Sequence, residues 1–388
     1  MSRFASSFAS ATGISSVFAL AALIGACAGA PTQAERPTDV PSATPPAPVA
    51  PPPGSASSSA SATTSANAPD GKAPDATGPT SCPAEMVLVS GDYCTKVEHK
   101  CKKEWFAKAN KKKVCEEFEE KSTCVGDKVK KRYCIDKYEW PNIKGERPEV
   151  MNRFHQAQVK CAASGKRMCH ESEWTFACEG PDAKPFPYGY KRDPLICNGD
   201  QKWDNPNMDL VEKRDPKELG RLWHGMRSGT QPQCVSDFGV FDLPGNTDEV
   251  SSAETTSKMQ FEGLRVRYDS VHTGGPWYKG VRNQCRPKVY THAEEFYYYF
   301  LSFRCCAEPD GKATDPRTQW QQRDGWRMEK VEQLAQFTVA AMKDKLELKK
   351  SSKCECKDKD ILCKTMCGTL LGPNAKDTSP SEPRAAGP

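Results

Sequence analysis

Short apolar runs near turn residues predict where this chain forms β-strands. The runs cover residues 86–89, 133–140, 238–241 and 296–305, and they are rich in Val, Phe and Tyr. β-Branched and aromatic side chains suit a half-buried pleated surface, and neighbouring Gly, Pro, Asn or Asp indicates a turn. The pattern therefore predicts several short strands rather than a few long ones.

Helical periodicity occurs at three places. Residues 152–164 place Phe154, Ala157 and Cys161 on one face, with a Gly as a stop. Residues 171–178 begin with two glutamates, whose charge favours a helix N-terminus. Residues 324–349 predict one C-terminal amphipathic helix docked on the core or on a partner, because small and apolar residues recur at helical spacing: Val331, Leu334, Ala335, Thr338, Ala341 and Met342.

Charge is concentrated in one segment. The net charge is +5, and residues 95–134 hold 13 Lys and Arg against 7 Asp and Glu. We interpret residues 95–133 as a solvated, loop-rich insertion in a domain spanning 81–309. A nucleic-acid partner is not predicted, because no binding motif accompanies the basic residues. Contact with an anionic surface such as lipopolysaccharide or phospholipid headgroups stays open as an alternative.

The N-terminus resembles a bacterial lipoprotein signal. Arg3 precedes an apolar stretch at residues 17–24, which ends in Ile-Gly-Ala before Cys27. The stretch is shorter than the roughly 20 apolar residues of a membrane span. We predict that residues 1–27 are a signal peptide with Cys27 as the lipidated residue. An ordinary secretory signal with an incidental cysteine is the alternative.

The next segment, residues 28–80, is rich in Pro, Ala, Ser and Thr. Such a composition buries too little apolar surface to fold, so we predict a disordered, extended tether. With the signal, the tether predicts a lipoprotein of the bacterial cell envelope whose partners include the membrane. Residue 28 is Ala, so the signal does not mark retention in the inner membrane.

The chain has 19 cysteines. If Cys27 carries lipid, 18 remain, which is enough for nine disulfides of unknown pairing. Disulfides of this density indicate an oxidising compartment. Within residues 310–388, the spacing Cys354-x-Cys356-x6-Cys363-x3-Cys367 predicts two disulfides in that compartment, whereas zinc is the alternative in a reducing one. We expect disorder from residue 371 onward.

Residues 238–250 bring four oxygen-bearing side chains together: Asp242, Asn246, Asp248 and Glu249. They flank a Pro-Gly turn that leaves backbone carbonyls exposed. Calcium prefers carboxylates combined with carbonyl oxygens. The alternative is a turn with capping carboxylates.

Six segments resemble, in order, the motifs of the formylglycine-generating enzyme family, also called sulfatase-modifying factors. They are residues 86–89, 134–139, 165–174, 238–246, 274–277 and 303–305. The resemblance implies an α+β fold related to C-type lectin-like domains, with little regular secondary structure. It also implies a structural calcium site formed by the side chains of Asp242 and Glu249 and the carbonyls of Gly245 and Thr247. Asn198 is the candidate ligand of a second calcium site.

The resemblance does not extend to the copper site. Active members bind copper through two cysteines, two and seven residues beyond the position of Trp277. Those positions hold Lys279 and Gln284, and Cys285 lies one residue further on. One thiol cannot form the two-thiolate site that suits Cu(I). Copper is therefore not predicted, and Cys285, the one catalytic candidate, is expected to form a disulfide.

These observations predict a lipid-anchored binding or structural module with an unidentified protein or peptide ligand, rather than an enzyme. The alternative is a metal-dependent oxidoreductase of the same superfamily acting on a peptide or small thiol. The six histidines show no metal-binding spacing. Asp269 and His272 lie near the Gly274 loop, and we interpret them as loop surface.

Overall fold

The computed structural model describes residues 81–108, 111–255 and 267–370. Its strands are β1 (Met86–Cys94), β2 (Val97–Ala107), β3 (Lys112–Cys124), β4 (Lys128–Asp136), β5 (Arg167–Met168), β6 (Asp248–Ser252), β7 (Ser270–Thr273), β8 (Lys288–Val289), β9 (Leu301–Phe303) and β10 (Cys305–Ala307). The helices are α1 (Phe154–Ala163), α2 (Glu171–Glu179), α3 (Met208–Glu212), α4 (Pro216–Leu222), α5 (Gln319–Arg323), α6 (Met328–Ala335), α7 (Val339–Lys350) and α8 (Ile361–Cys367). The predicted signal with Cys27 and the tether 28–80 lie outside the described residues.

The first sheet has the strand order β1-β4-β10-β5. Strand β1 pairs antiparallel with β4 from Met86 opposite Asp136 to Cys94 opposite Lys128. Strand β10 then pairs with both β4 and β5. The sheet confirms strands at the first two apolar runs and joins distant parts of the chain.

The loop-rich interpretation of residues 95–133 is wrong. Strands β2 and β3 form a long antiparallel hairpin. Ion pairs cross between the strands, with 2.9 Å from Lys102 to Glu117 and from Lys103 to Glu116, and Cys101 is bonded to Cys115. Opposite charges on facing strands stabilise a sheet. The overall excess of lysine concealed this cross-strand pairing.

The second four-stranded sheet, ordered β8-β7-β6-β9, carries the region of interest. Strand β6 is buried along its whole length and runs parallel to β9. Nearby, the strand predicted at 238–241 is wrong, and the one predicted at 296–305 is confirmed only from residue 301 onward. Residues 238–241 make only an isolated bridge between Val235 and Phe241, and residues 296–300 precede β9 as a packed aromatic turn. Apolar content alone did not distinguish core loops from strands.

Helices α1 and α2 confirm the two central helix predictions, but the single helix at 324–349 is wrong. Helix α6 ends at Ala335 and is capped by Gln336, whose φ is 70°, and α7 begins after Thr338. The Thr338 hydroxyl caps α7 by accepting a hydrogen bond from the Ala341 backbone N–H. Phe337, between the helices, is buried in the core, so the tail docks as predicted although its helix is divided.

Nine disulfides occur among the described residues, and they use all 18 cysteines of that part of the chain. The pairs are Cys82–Cys134, Cys94–Cys124, Cys101–Cys115, Cys161–Cys305, Cys169–Cys306, Cys178–Cys285, Cys197–Cys234, Cys354–Cys367 and Cys356–Cys363. This confirms the expected number. Within the same residues, no helix has the length and apolarity to cross a membrane.

Candidate functional site

A tight loop leads from Asp242 into β6 and holds most of the predicted calcium ligands. Gly245 has a φ of 93°, and a Cβ there would lie 3.0 Å from the Asn198 carbonyl oxygen. A side chain is therefore excluded by both conformation and space. The neighbouring Asn246 N–H donates to the same Asn198 oxygen at 2.8 Å. The structure thus brings Asn198, the candidate ligand of a second calcium site, against the loop.

Glu249 is engaged by a cation from the protein itself. Its two carboxylate oxygens accept hydrogen bonds from the Arg304 guanidinium at 2.7 and 2.6 Å. The Trp174 indole N–H adds a third bond at 3.0 Å. Both Glu249 and Arg304 are only 1% exposed. This fork-to-carboxylate geometry is a strong form of ion pair.

A further carboxylate, Glu139, lies beneath the loop. It accepts hydrogen bonds from the Asn246 amide at 3.0 Å, the Thr247 hydroxyl at 2.7 Å and the Ser228 hydroxyl at 2.8 Å. The donors are all neutral, so they satisfy the oxygens without cancelling the charge. Thr247, expected to contribute its carbonyl, therefore also fixes Glu139 through its side chain.

We call Glu139, Asp242, Glu249 and Arg304 the carboxylate cluster. Three buried acids face one guanidinium, so the fully ionised cluster has an excess of negative charge. Burial, followed by repulsion from Asp242 and Glu249, raises the pKa of Glu139 to about 8. Burial also raises the pKa of Asp242 to about 7. Buried carboxylates without enough cations favour their protonated form.

The three carboxylates of the cluster offer oxygen atoms and negative charge, the ligand chemistry that calcium prefers. A divalent cation would offset the excess negative charge. One carboxylate oxygen of Asp242 accepts a hydrogen bond from the Gly229 backbone N–H at 2.7 Å. This leaves the second carboxylate oxygen for an ion. At Glu249 an ion would share the oxygens with Arg304. The residues that would hold calcium are Asp242 and Glu249 by side chain and two loop carbonyls.

Asp248, one of the four oxygen-bearing side chains of residues 238–250, anchors the adjacent glycine loop. Its carboxylate accepts two hydrogen bonds from the Arg282 guanidinium at 2.8 and 2.9 Å. The Asn283 amide donates to the carbonyls of Gly274 and Gly275 at 3.1 and 3.0 Å. The loop is therefore held at both ends by polar contacts.

The cysteine of this loop has no free thiol. Cys285 is fully buried and bonded to Cys178 of α2. The other position compared with copper-binding cysteines holds Lys279, whose ammonium lies 5.7 Å from the centre of the Tyr278 ring. The loop therefore presents neither of the two thiolates required for a Cu(I) site.

The interpretation of Asp269 and His272 as loop surface is wrong. His272 is 3% exposed and stacks on His292 with ring centres 5.0 Å apart. Burial lowers the pKa of His272 to about 4. Asp269 is also buried and accepts a hydrogen bond from the Thr318 hydroxyl at 3.2 Å. Both side chains are therefore part of the packed interior at β7.

Comparison with known proteins gives one curated relative. Over 110 residues the chain is 31% identical to the inactive C-alpha-formylglycine-generating enzyme 2 of Bos taurus. The match covers 28% of this chain, and the chain spans about a third of the relative's length (34%). Over that stretch the chain is similar to a formylglycine-generating-enzyme relative. No family model matches it.

Solved structures also align with this chain, at low similarity. CarF is 12% identical with a TM-score of 0.35, covering 58% of this chain and 98% of CarF. PvdO from Pseudomonas aeruginosa is 13% identical with a TM-score of 0.30, covering 57% of this chain and 93% of PvdO.

Sequence analysis missed two members of the carboxylate cluster. Glu139 and Arg304 were recognised within motifs but were not assigned to the loop. Their separation along the chain concealed the contact, because pairing of β9 beside β6 brings Arg304 to Glu249. The sequence signal that could have identified them is that Glu139 and Arg304 each lie in a segment matching the family motifs, 134–139 and 303–305.

Proposed function

We propose that this protein is a lipid-anchored, extracytoplasmic binding or structural module without formylglycine-generating activity. One observation carries the proposal: Cys285 is consumed by its disulfide with Cys178. The second comparable position is Lys279, which cannot supply a thiolate. A copper mechanism that depends on two thiolates therefore lacks both ligands.

The curated relative gives independent support. That protein is named as an inactive enzyme, and inactivity of this chain would agree with that name. The loop from Gly274 to Cys285 is also fixed by the Asp248–Arg282 ion pair. A rigid loop of this kind is suited to presenting a binding surface. We propose a protein or peptide as the ligand.

We further propose a structural calcium ion at the carboxylate cluster. Asp242 and Glu249 would contribute side-chain oxygens, Gly245 and Thr247 would contribute backbone carbonyls, and Asn198 supports the loop beside them. When bound, the ion would supply the positive charge that Arg304 alone does not. Its role would be to hold the loop rather than to take part in chemistry.

Location at the bacterial cell envelope is part of the same proposal. Nine disulfides are consistent with an oxidising compartment. Cys27 and the Pro-rich segment after it would provide the lipid anchor and the spacer. The lipid would attach the chain to a membrane, leaving the formylglycine-generating-enzyme-like domain outside the cytoplasm.

A copper titration tests the proposed loss of the enzyme site. A thiol assay first verifies that the disulfides of the full chain are intact. The chain is then titrated with Cu(I) in the presence of a chelator that fixes the concentration of free Cu(I). We expect no stoichiometric site. The matched comparison is Cys178→Ser, which frees the thiol of Cys285. This variant still has one thiol at the loop, where the copper site requires two. Stoichiometric Cu(I) binding by the unmodified chain would favour the metal-dependent oxidoreductase alternative.

A further inference from the structure

Four cysteine sulfurs of the C-terminal tail lie in one cluster. The sulfurs of Cys354, Cys356 and Cys367 lie within 4.8 Å of one another, the one group of three or more side-chain metal ligands among the described residues. The fourth, Cys363 Sγ, lies 3.9 Å from Cys367 Sγ. The four are joined as two disulfides, Cys354–Cys367 and Cys356–Cys363. We call them the cysteine knot.

One separation among these sulfurs, between Cys363 and Cys367 of the two different disulfides, is that of a tetrahedral metal site. Zinc binds thiolates at about 2.3 Å, which places neighbouring sulfurs roughly 3.8 Å apart in a tetrahedron. The observed separation of 3.9 Å between Cys363 and Cys367 is close to that value. Because these two lie four residues apart on α8, they face the same side of the helix. The preceding loop supplies the other pair with Cys-x-Cys spacing.

Helix α8 is held to the domain independently of the disulfides. The fully buried Lys160 ammonium donates to the Thr365 carbonyl, and Arg214 donates to the Thr365 hydroxyl at 2.6 Å. Met366 is part of the hydrophobic core. Opening the disulfides would therefore leave Cys363 and Cys367 in place. A site that keeps half its ligands fixed loses less conformational freedom on binding a metal.

The surroundings suit reduction and thiolate formation. Cys354 and Cys356 are partly exposed, whereas Cys363 and Cys367 are buried, so a reductant can approach the first pair. The Lys345 ammonium lies 4.0 Å from Cys363 Sγ. A nearby cation stabilises a thiolate relative to the thiol. It also offsets part of the negative charge of a zinc ion with four thiolates.

We propose that the cysteine knot becomes a tetrathiolate zinc site when a dithiol reductant opens its two disulfides. Each disulfide takes two electrons and two protons from one dithiol, which is itself oxidised to a disulfide. Four thiols form, and zinc binding releases their protons to solvent. The tail thus has two cross-linked forms, one held by sulfur–sulfur bonds and one by metal.

Cobalt titration of the reduced full chain tests the proposal. A phosphine replaces the dithiol, because a dithiol would itself compete for the metal. We expect one equivalent of Co²⁺ to give the visible absorption of tetrahedral cobalt–thiolate, and one equivalent of Zn²⁺ to abolish it. The variant C354S/C367S should lose this signal. The matched control C101S/C115S removes two other cysteines, which pair in the oxidised chain with a sequence separation of 14, against 13 for Cys354–Cys367, and should retain the signal.

A second measurement does not depend on the variants folding. The reduced wild-type chain is alkylated with and without zinc, and the modified cysteines are identified by peptide mass spectrometry. Zinc should slow alkylation of the four knot cysteines roughly tenfold or more, because bound thiolates are withheld from reaction. Equal alkylation rates with and without zinc would overturn the proposal. Loss of the cobalt signal in the C101S/C115S control would also overturn it.

Discussion

Arg304 holds both carboxylate oxygens of Glu249, at 2.7 and 2.6 Å, with both side chains almost completely buried. The pair joins the segment between β9 and β10 to strand β6. It also places a permanent positive charge inside a group of three acids. Removal of one partner would leave the other charged and buried without compensation.

We therefore expect Arg304→Gln to lower the free energy of unfolding by about 3–5 kcal/mol, as for other broken buried ion pairs. Urea unfolding followed by tryptophan fluorescence measures the change. The matched control is Arg327→Gln, because Arg327 pairs with Glu329 at 3.2 Å while their side chains are 82% and 67% exposed. An equal loss of stability in both variants would show that burial of the Arg304 pair is unimportant.

Calcium should stabilise the protein more at high pH than at low pH. The pKa values of Glu139 and Asp242, about 8 and about 7, are raised above their ordinary values. Without calcium the folded state therefore binds more protons than the unfolded state between about pH 4 and pH 8, and these two groups make stability fall as pH rises through that window. Free calcium at 100 times its dissociation constant should raise the free energy of unfolding by about 2.7 kcal/mol.

Calorimetry with calcium or a chelator at pH 5 and pH 8 checks this prediction. The control is Asp242→Asn, which keeps an oxygen acceptor for the Gly229 N–H but removes the charge. We expect this variant to be more stable than wild type at pH 8 without calcium, and to lose most of the calcium response. A calcium shift in the variant as large as in wild type would remove Asp242 from the ligand set.

The predicted lipid anchor gives a separate outcome. In a bacterial host, globomycin should block signal cleavage and cause the precursor to accumulate. Cys27→Ser should also leave the chain without lipid, because the lipid is attached to the Cys27 thiol. Membrane fractionation and intact-mass measurement follow both changes. Unaltered processing with globomycin would contradict the anchor.

The wrong predictions in the second four-stranded sheet and in the C-terminal tail show which elements hydrophobic periodicity can predict. Helix α1 and strand β1 were predictable because their apolar positions and stop residues agree. Residues 296–300 have the composition of a strand but form an aromatic turn, since their rings pack on the core without ladder partners. The tail helix broke at Gln336, where a left-handed residue and the Thr338 cap overrode continuous periodicity.

The candidate site was predictable only as far as local motifs reached. Asp242, Gly245 and Glu249 lie on one loop, so their proximity follows from sequence. The contribution of Glu139 and Arg304 depends on sheet pairing between distant segments. Glu139 and Asn246, for example, are more than 100 residues apart along the chain. The hairpin was missed for a related reason, because the pairing of Lys102 with Glu117 is visible only once the strands face each other.

The most direct test of the central claim uses a peptide with the sequence Cys-x-Pro-x-Arg, copper and oxygen. The full chain, with its disulfides intact, is incubated with these components, and peptide aldehyde is measured by mass spectrometry. With Cys285 bonded to Cys178 and a lysine at position 279, we predict no aldehyde above the copper-only control. Catalytic aldehyde formation, with several turnovers per chain, would contradict the account.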